Sequence, residues 1–376
     1  MSRESIEWLN ANVLMGFVDD REKWLTNSYV VKGERARPWF ASTEFENGYS
    51  GPVPIEAVEK LFEWQAIEGP VVTYLPCDMH EADVMGDDGL PMRKVTDPSR
   101  KAIIRSDTGD VLNVVSAQYG VHQYSEWLVR NVATILDDDL AIDSAGLLMG
   151  GGVAWVSVSL PETIETRAGF PIRPRLLAFT SHNGKFKTTY KRSLEAPVCD
   201  NSLDLEIRRD NGKEHEQQWS VRHTSQSGLA IHDARQALGI IYKQTEDMIA
   251  AVDALTEWEV SNREFYRLME ALVPMPEPEV SDGKVRNKRA INNAERTRSD
   301  ILDLYLTDHR AAPWKGTALG VLQAFNTWDQ QVRDVRNERV ERKLVHTLDT
   351  KVAAFDASVL DTLAKVCERE PLVVVS

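Results

Sequence analysis

The residues with the clearest capacity for chemistry are cations. Between Thr166 and Arg192 the chain holds seven Lys or Arg and no Asp or Glu, in a protein of 376 residues with a formal net charge of −14. Lysines in such a run bind polyanions. Alternate side chains of an extended strand stand roughly 6.5 to 7 Å apart, close to the phosphate spacing of a stretched nucleic-acid strand. A strand over Lys185 to Arg192 predicts Lys185, Lys187 and Lys191 on one face, with Phe186, Thr188 and Tyr190 on the other. Arg167, Arg173 and Arg175 lie just before or on the partner strand, so hairpin pairing brings them near the same surface, and Arg192 is a further candidate for backbone contact. Tyr190 and Phe186 then either stack bases or pack under the sheet as core. A lysine face is also what protects an edge strand from unwanted pairing, but that need does not exclude every acid over 27 residues. A second basic cluster, Lys284, Arg286, Lys288 and Arg289, opens a segment with helical spacing.

Other arrangements that could do chemistry have plainer readings. Gly150-Gly151-Gly152 could approach a phosphate, but it joins two strand-like arms and precedes no helix, so it reads as a strand turn. Asp137-Asp138-Asp139 reads as a solvated helix end, since three adjacent carboxylates do not converge on one ion. Cys77 and His80 are spaced like metal ligands, yet no second pair follows at zinc-site spacing. Asp107 and Asp110 are the acids a metal-dependent nuclease would call on, and local turn hydrogen bonding already accounts for them. Cys199-Asp200-Asn201 reads as a buried thiol followed by a turn, with Asn201 the one residue there that could touch a ligand. No hydrolase, zincin or Walker sequence occurs, so the residues predict neither a cofactor nor a metal.

The elements that must position the basic window follow from periodicity and turns. Residues 1–100 carry 18 acids against 10 Lys or Arg and read as an acidic region of short helices and loops, with helical spacing over Ile55 to Glu68. Residues 101–227 read as hairpins. KAIIRSDTGDVLNVVS turns at Asp107 to Asp110, AGLLM and VAWVSVSL flank the three glycines, and RPRLLAFTS and KFKTTYKR flank His182-Asn183-Gly184. YSEWLVRNVATIL has helical spacing, and QWSVRH adds a short strand. Residues 228–376 read as helical over Gly228 to Trp258, Asn262 to Leu272, Lys284 to Leu306 and Thr317 to Glu370, the last broken near Thr350. VPMPEPEVSDG, residues 273–283, is the candidate linker. The class expected is α+β: an antiparallel sheet with packed helices, then a helical region. Three widely spaced cysteines argue against a disulfide framework and for a reducing cytoplasm, and no apolar run reaches membrane-spanning length.

IRSDTGDVLNVVSAQY, EWLVRNVATILDDDL, AGLLMGGGVAWVSVSLPE, TTYKRSLEAPVCDNSL and APWKGTALGVLQAFNTW together resemble the phage/plasmid-like protein family, a domain of unknown function recurrent in actinobacterial phages, prophages and plasmids. MGFVDDREKWLTNS and GPVPIEAVEKLFEWQAIEGP are similar to its N-terminal part, so the likeness runs along nearly the whole chain. Where that family reads Val-Cys-x-Asn-Thr this chain has Ser202, which keeps the hydroxyl, and its Trp-His segment is here Lys23-Trp24-Leu25. The order hairpin, helix, hairpin, hairpin is also similar to single-strand annealing proteins of the RecT and Redβ class, an analogy of fold alone. The expectation is a non-enzymatic DNA-metabolism protein of a mobile element that binds single-stranded DNA, as a homo-oligomer able to anneal strands. The alternatives are a protein-interaction module with no nucleic-acid partner and a metal-dependent nuclease.

Overall fold

The computed structural model describes residues 3–16, 47–49, 51–133, 141–159, 164–167, 169–195, 202–203, 218–224, 249–281, 284–308, 310–333, 339–348 and 351–370. Among them the strands are β1 (Val13–Met15), β2 (Ala66–Pro76), β3 (Val84–Met85), β4 (Pro91–Arg105), β5 (Val111–Ser116), β6 (Ala141–Leu148), β7 (Val153–Ser159), β8 (Ile164–Glu165), β9 (Pro171–Ser181), β10 (Thr188–Glu195), β11 (Ser202–Leu203), β12 (Gln218–Val221) and the short pair β13 (Val280–Ser281) and β14 (Lys284–Val285). The larger sheet runs β1-β6-β7-β9-β10-β11, with β12 also on β10 and β8 on β9, and every pair is antiparallel. With the helical C-terminal part this is an α+β fold, as the periodicities predict.

The larger sheet is covered on both faces, which is why β6 and β7 are nearly continuous in apolar or small residues. Ala154, Val156, Val158, Leu176, Ala178 and Tyr190 face a core closed by Tyr124, Leu128 and Val132. Those three come from a π-helical turn, Ser125–Arg130, its preceding residue and the helical residues that continue it. The opposite face sets Val153, Trp155, Leu177 and Phe179 against Leu9 of the N-terminal helix Arg3–Asn12 and Val345 and Leu348 of helix Arg339–Leu348. Each large side chain so buried contributes on the order of 1.5–3 kcal/mol. Gly146 is required by this packing, because a Cβ there would lie 2.0 Å from the Trp155 ring.

Residues 55–105 differ from expectation. The helix is Ile55–Leu61 and does not reach Glu68; the chain turns instead into β2 at Ala66. β2 and β4 form a long antiparallel ribbon with a register shift between Pro70 and Val71, and β3 and β5 add to β4 at its two ends. The turn-rich composition of MGDDGLPMRKVTDPSR hid a strand because Pro and Ser sit at the register shift, where a ladder tolerates them.

The C-terminal core gathers Phe265, Leu268, Ile301, Leu304, Tyr305, Leu319, Leu322, Phe325, Val359 and Leu363, and takes Phe170 and Ile172 from the start of the sheet's central hairpin. Helix Asn262–Leu272 opens with a capping box in which Ser261 and Glu264 exchange hydrogen bonds. Lys284 does not open a helix: it pairs in a two-residue strand, and the helix is Lys288–Thr307. The expected linker is held against that helix, because Asn287 binds the Glu279 amide (3.0 Å) and the Glu277 carbonyl (2.7 Å), and Arg298 donates to the Val273 carbonyl at 2.8 Å. Of Gly228 to Trp258 only 249–258 lies among the described residues, helical to 257. The last helical stretch divides into Ala318–Thr327, Arg339–Leu348 and Lys351–Val366, with a π-helical turn Trp328–Val332 after the first.

Helix Ala318–Thr327 is buried on every side. Thr317 caps it by accepting from the Gly320 amide, and a Cβ on Gly320 would stand 2.2 Å from the Trp314 carbonyl oxygen. That packing accounts physically for the glycine in WKGTALG. Its buried polar residues continue into a network: Asn326 donates to both Asp356 oxygens (2.9 and 3.0 Å), and Gln330 donates to Asn326 at 2.9 Å. Asp329 accepts from Arg333 (2.8 Å) and lies 2.6 Å from His346 Nε2. Burial alone would raise its pKa, but these two partners more than offset that and hold the carboxyl below its ordinary value.

Candidate nucleic-acid interface

The hairpin that carries the basic window is β9–β10, and its connection is wider than an Asn-Gly turn of two residues. β9 ends at Ser181 and β10 begins at Thr188, so Lys185 and Lys187 lie in the loop and not on a strand. Ser181 ties the loop's ends, its hydroxyl donating to the Phe186 carbonyl and accepting from the Phe186 amide, both at 2.8 Å. Asn183 Oδ1 accepts from the Lys185 amide at 3.1 Å, and Gly184 takes a positive φ of 74°. The loop is thereby fixed in shape with both lysines exposed. Phe186 packs edge-on against Phe179 at 5.4 Å, with Lys185 Nζ 5.7 Å from the Phe186 ring centre.

Below the loop the row of cations ends. Lys191 is 5% exposed, and Tyr190 is 1% exposed with its hydroxyl donating to the Trp127 carbonyl and accepting from Asn131 at 2.7 Å. Burial pushes the Tyr190 phenol up to about 12. A stacking role for Tyr190 is therefore corrected to a core role, and a wet lysine face on β10 is corrected too: the strand is interior to a sheet covered on both sides. Arg192 pairs with Leu176, and Arg173 with Glu195, in the β9–β10 ladder, while Arg175 is half-buried opposite Ser193. The side chains of Arg192, Arg173 and Lys284 lie outside the described residues. Lys288 and Arg289 are exposed in the first turn of helix Lys288–Thr307, which has no acid there. Arg222, which the sequence reading did not single out, is exposed beside Lys187, since Val221 pairs with Thr188.

The loop stands on a cluster of rings, His122 and Trp127 buried and Tyr119 and His223 half-buried, that sequence reasoning missed. Tyr119, His223, His122 and Trp127 form a continuous stack, with ring centres 4.8, 4.1 and 3.7 Å apart in that order. A hydrogen-bond chain runs beside it. His223 Nδ1 is 3.1 Å from the Gly120 carbonyl, His223 Nε2 is 3.2 Å from Thr180, Thr180 is 2.7 Å from Thr188, and Thr188 is 2.6 Å from His122 Nδ1. Because a carbonyl only accepts, one arrangement satisfies all four links with neutral rings: both histidines carry their proton on Nδ1. His122 Nε2 is then a buried acceptor without a hydrogen-bond partner among the described residues, and there neither the donor nor the acceptor nitrogen of His182, which stacks on Tyr124 at 4.0 Å, has one. Burial, with the neighbouring histidines adding to it, lowers His122 and His182 to about 3. These histidines lie 41 to 101 residues apart in the chain, so no local spacing betrays them.

The three glycines make the strand turn that was expected and also bring the loop in. The amides of His182 (2.9 Å) and Asn183 (3.2 Å) donate to the Gly152 carbonyl, and a Cβ on Gly152 would meet Asn183 at 2.7 Å. Arg105 stacks over Trp64 at 4.4 Å, donates to the Gly150 carbonyl at 2.9 Å and pairs with Asp107 through two contacts of 3.0 and 2.7 Å. Asp110 accepts from Thr108 at 2.7 Å, so both turn acids are locally engaged. Among the described residues no group of three or more His, Cys, Asp or Glu is arranged to hold a metal, and no helix is long and apolar enough to cross a membrane. Asp137 to Asp139 and Cys199 to Asn201 lie outside the described residues.

The chain belongs to the family described as domain of unknown function DUF932, whose model matches residues 111–349. That span includes β5 to β12, the ring cluster, the basic loop and the buried helix. No curated protein and no solved structure matches the chain.

Proposed function

We propose that this member of the family is a non-enzymatic DNA-metabolism protein of a phage or other mobile element, which binds single-stranded DNA at the Asn183–Lys187 loop. The observation that carries the reading is the pair of exposed lysines, Lys185 and Lys187, on a loop held by its own hydrogen bonds, with no carboxylate of a described residue paired to either. In a chain of net charge −14, cations left without acids are best explained by an anionic partner. Arg222 extends the same patch, and Lys288 and Arg289 supply a second one at the positive end of a helix dipole, where bases are disfavoured unless an anion relieves them. The hairpin, helix, hairpin, hairpin order supports strand annealing by analogy with the RecT and Redβ class.

The test is oligonucleotide binding across a salt series with a 20- to 40-nucleotide single strand, a length chosen to exceed roughly 4–16 nucleotides per site. Affinity should fall as salt rises, and Lys185→Glu with Lys187→Glu should weaken it at least about tenfold while reducing the log–log salt slope by roughly 1.4. Unchanged thermal unfolding of the double variant is expected, since both side chains are exposed. Affinity that ignores salt, or is absent at low salt, would overturn the reading. A protein-interaction module is the second reading, favoured by the exposed apolar side chains of the β2–β4 ribbon.

A further inference from the structure

The β2–β4 ribbon has no buried residue from Ile67 to Lys101. Ile67, Tyr74, Leu75, Met79, Val84 and Met85 are all exposed on it. A two-stranded ribbon with two wet faces is marginally stable by itself, so one this long with so much apolar surface calls for a partner. β4 is bordered on its far side by β3 and β5, whereas β2 pairs with β4 alone among the described residues. From Gly69 to Pro76 β2 carries no charge, the reverse of how a solvent-facing edge is normally protected.

The backbone of β2 defines what fits that edge. At its start, the side chain of Gln123 covers the outward amide and carbonyl of Ala66, at 3.0 and 2.8 Å. Outward-facing groups alternate along an antiparallel strand, so Glu68, Pro70, Val72, Tyr74 and Pro76 also face outward. Contacts on β4 agree: the amide of Lys94, opposite Tyr74, and the carbonyl of Met92, opposite Pro76, both turn away from β2 to Asp83. Beyond Glu68 the outward positions of the strand are therefore Pro70 and Pro76, which have no N–H, with the donors Val72 and Tyr74 between them.

We propose that two copies of the chain pair through the free edges of β2, antiparallel about a two-fold axis that sets Thr73 opposite Thr73. In this register Val72 of each copy faces Tyr74 of the other, and four backbone hydrogen bonds form reciprocally. Pro70 falls opposite Pro76, so no donor is left unpaired by either proline. The match is a self-match, which is what an isologous two-fold contact requires. Charge at the ends is mixed: the tip Cys77 to Leu90 holds five acids and no Lys or Arg, and at the base of the other ribbon it meets Arg100 together with Lys101 and Glu68, which pair with each other at 2.6 Å. The proposal is independent of the DNA reading, because the loop at Lys185 and Lys187 is not part of this edge.

Sedimentation velocity and oxidative crosslinking test it. Wild-type protein should sediment at twice the chain mass in the micromolar range. Val72→Glu with Tyr74→Glu, which sets like charges face to face, should leave a monomer with unchanged circular dichroism and thermal midpoint. In a Cys77→Ser background Thr73→Cys should oxidise to a covalent dimer, since directly opposed non-hydrogen-bonded residues lie within disulfide reach. Leu75→Cys should not, because its counterpart is displaced four residues along the strand, about 13 Å. A wild-type monomer throughout that range, a dimer that survives the double glutamate variant, or equal crosslinking at Leu75 and Thr73 would each overturn the proposal. Retained oligonucleotide binding by the glutamate variant keeps the two readings distinguishable.

Discussion

At the scale of single residues, the buried histidines set a pH limit on the fold. His122 and His182 are held neutral with pKa values near 3, whereas the unfolded chain takes up protons near 6.5. Stability is thus full above pH 6.5 and falls as the pH drops toward 3, by on the order of 5 kcal/mol per ring at full effect. Urea midpoints measured from pH 8 to pH 4 should show that decline, and His122→Gln should make it shallower by about 1.4 kcal/mol per pH unit, the weight of one proton. An unchanged slope would mean that His122 is not held neutral. Legibility at this scale was uneven. Lys185 and Lys187 were readable as an exposed basic pair, but Lys191 and Tyr190, drawn from the same run, are core. A strand's alternation says which residues share a face and nothing about what covers that face.

At the scale of elements, glycines mark where backbones touch. Gly320→Ala should destabilise by at least about 2 kcal/mol although alanine favours helix, because the new methyl meets the Trp314 carbonyl at 2.2 Å. Chemical denaturation of the variant checks this, and a neutral or stabilising outcome would show that the 3₁₀ turn Ala312–Trp314 yields freely. The hairpins around Asp107–Asp110 and the three glycines follow the turn signals in the sequence, and helix Asn262–Leu272 follows its helical periodicity. The ribbon did not, since Pro98 and Ser99 within β4 resemble a loop until β2 is seen beside them. The basic loop came out longer than its Asn-Gly signal because Ser181 and Phe186 close a six-residue connection instead.

At the scale of the molecule, the sheet and the helical core meet through Phe170, which packs edge-on against Trp314 at 4.7 Å, and Ile172. Phe170→Ala should lower stability by about 3–5 kcal/mol and, by loosening that contact, separate the unfolding of the two parts. Calorimetry and two fluorescence probes, one in each core, report this: a single transition in the variant would mean that other contacts hold the parts together. Composition, turn residues and periodicity were enough to determine the α+β class, the hairpin order, the helical C-terminal part and the anomaly of charge at Thr166 to Arg192, because each is written in neighbouring residues. Tertiary structure alone decided which cations meet solvent, which aromatics are core, how the distant His122 and His223 come into one stack, and that β2 pairs with β4 alone among the described residues. Those outcomes depend on which surfaces cover one another, and burial is a property of elements far apart in the chain.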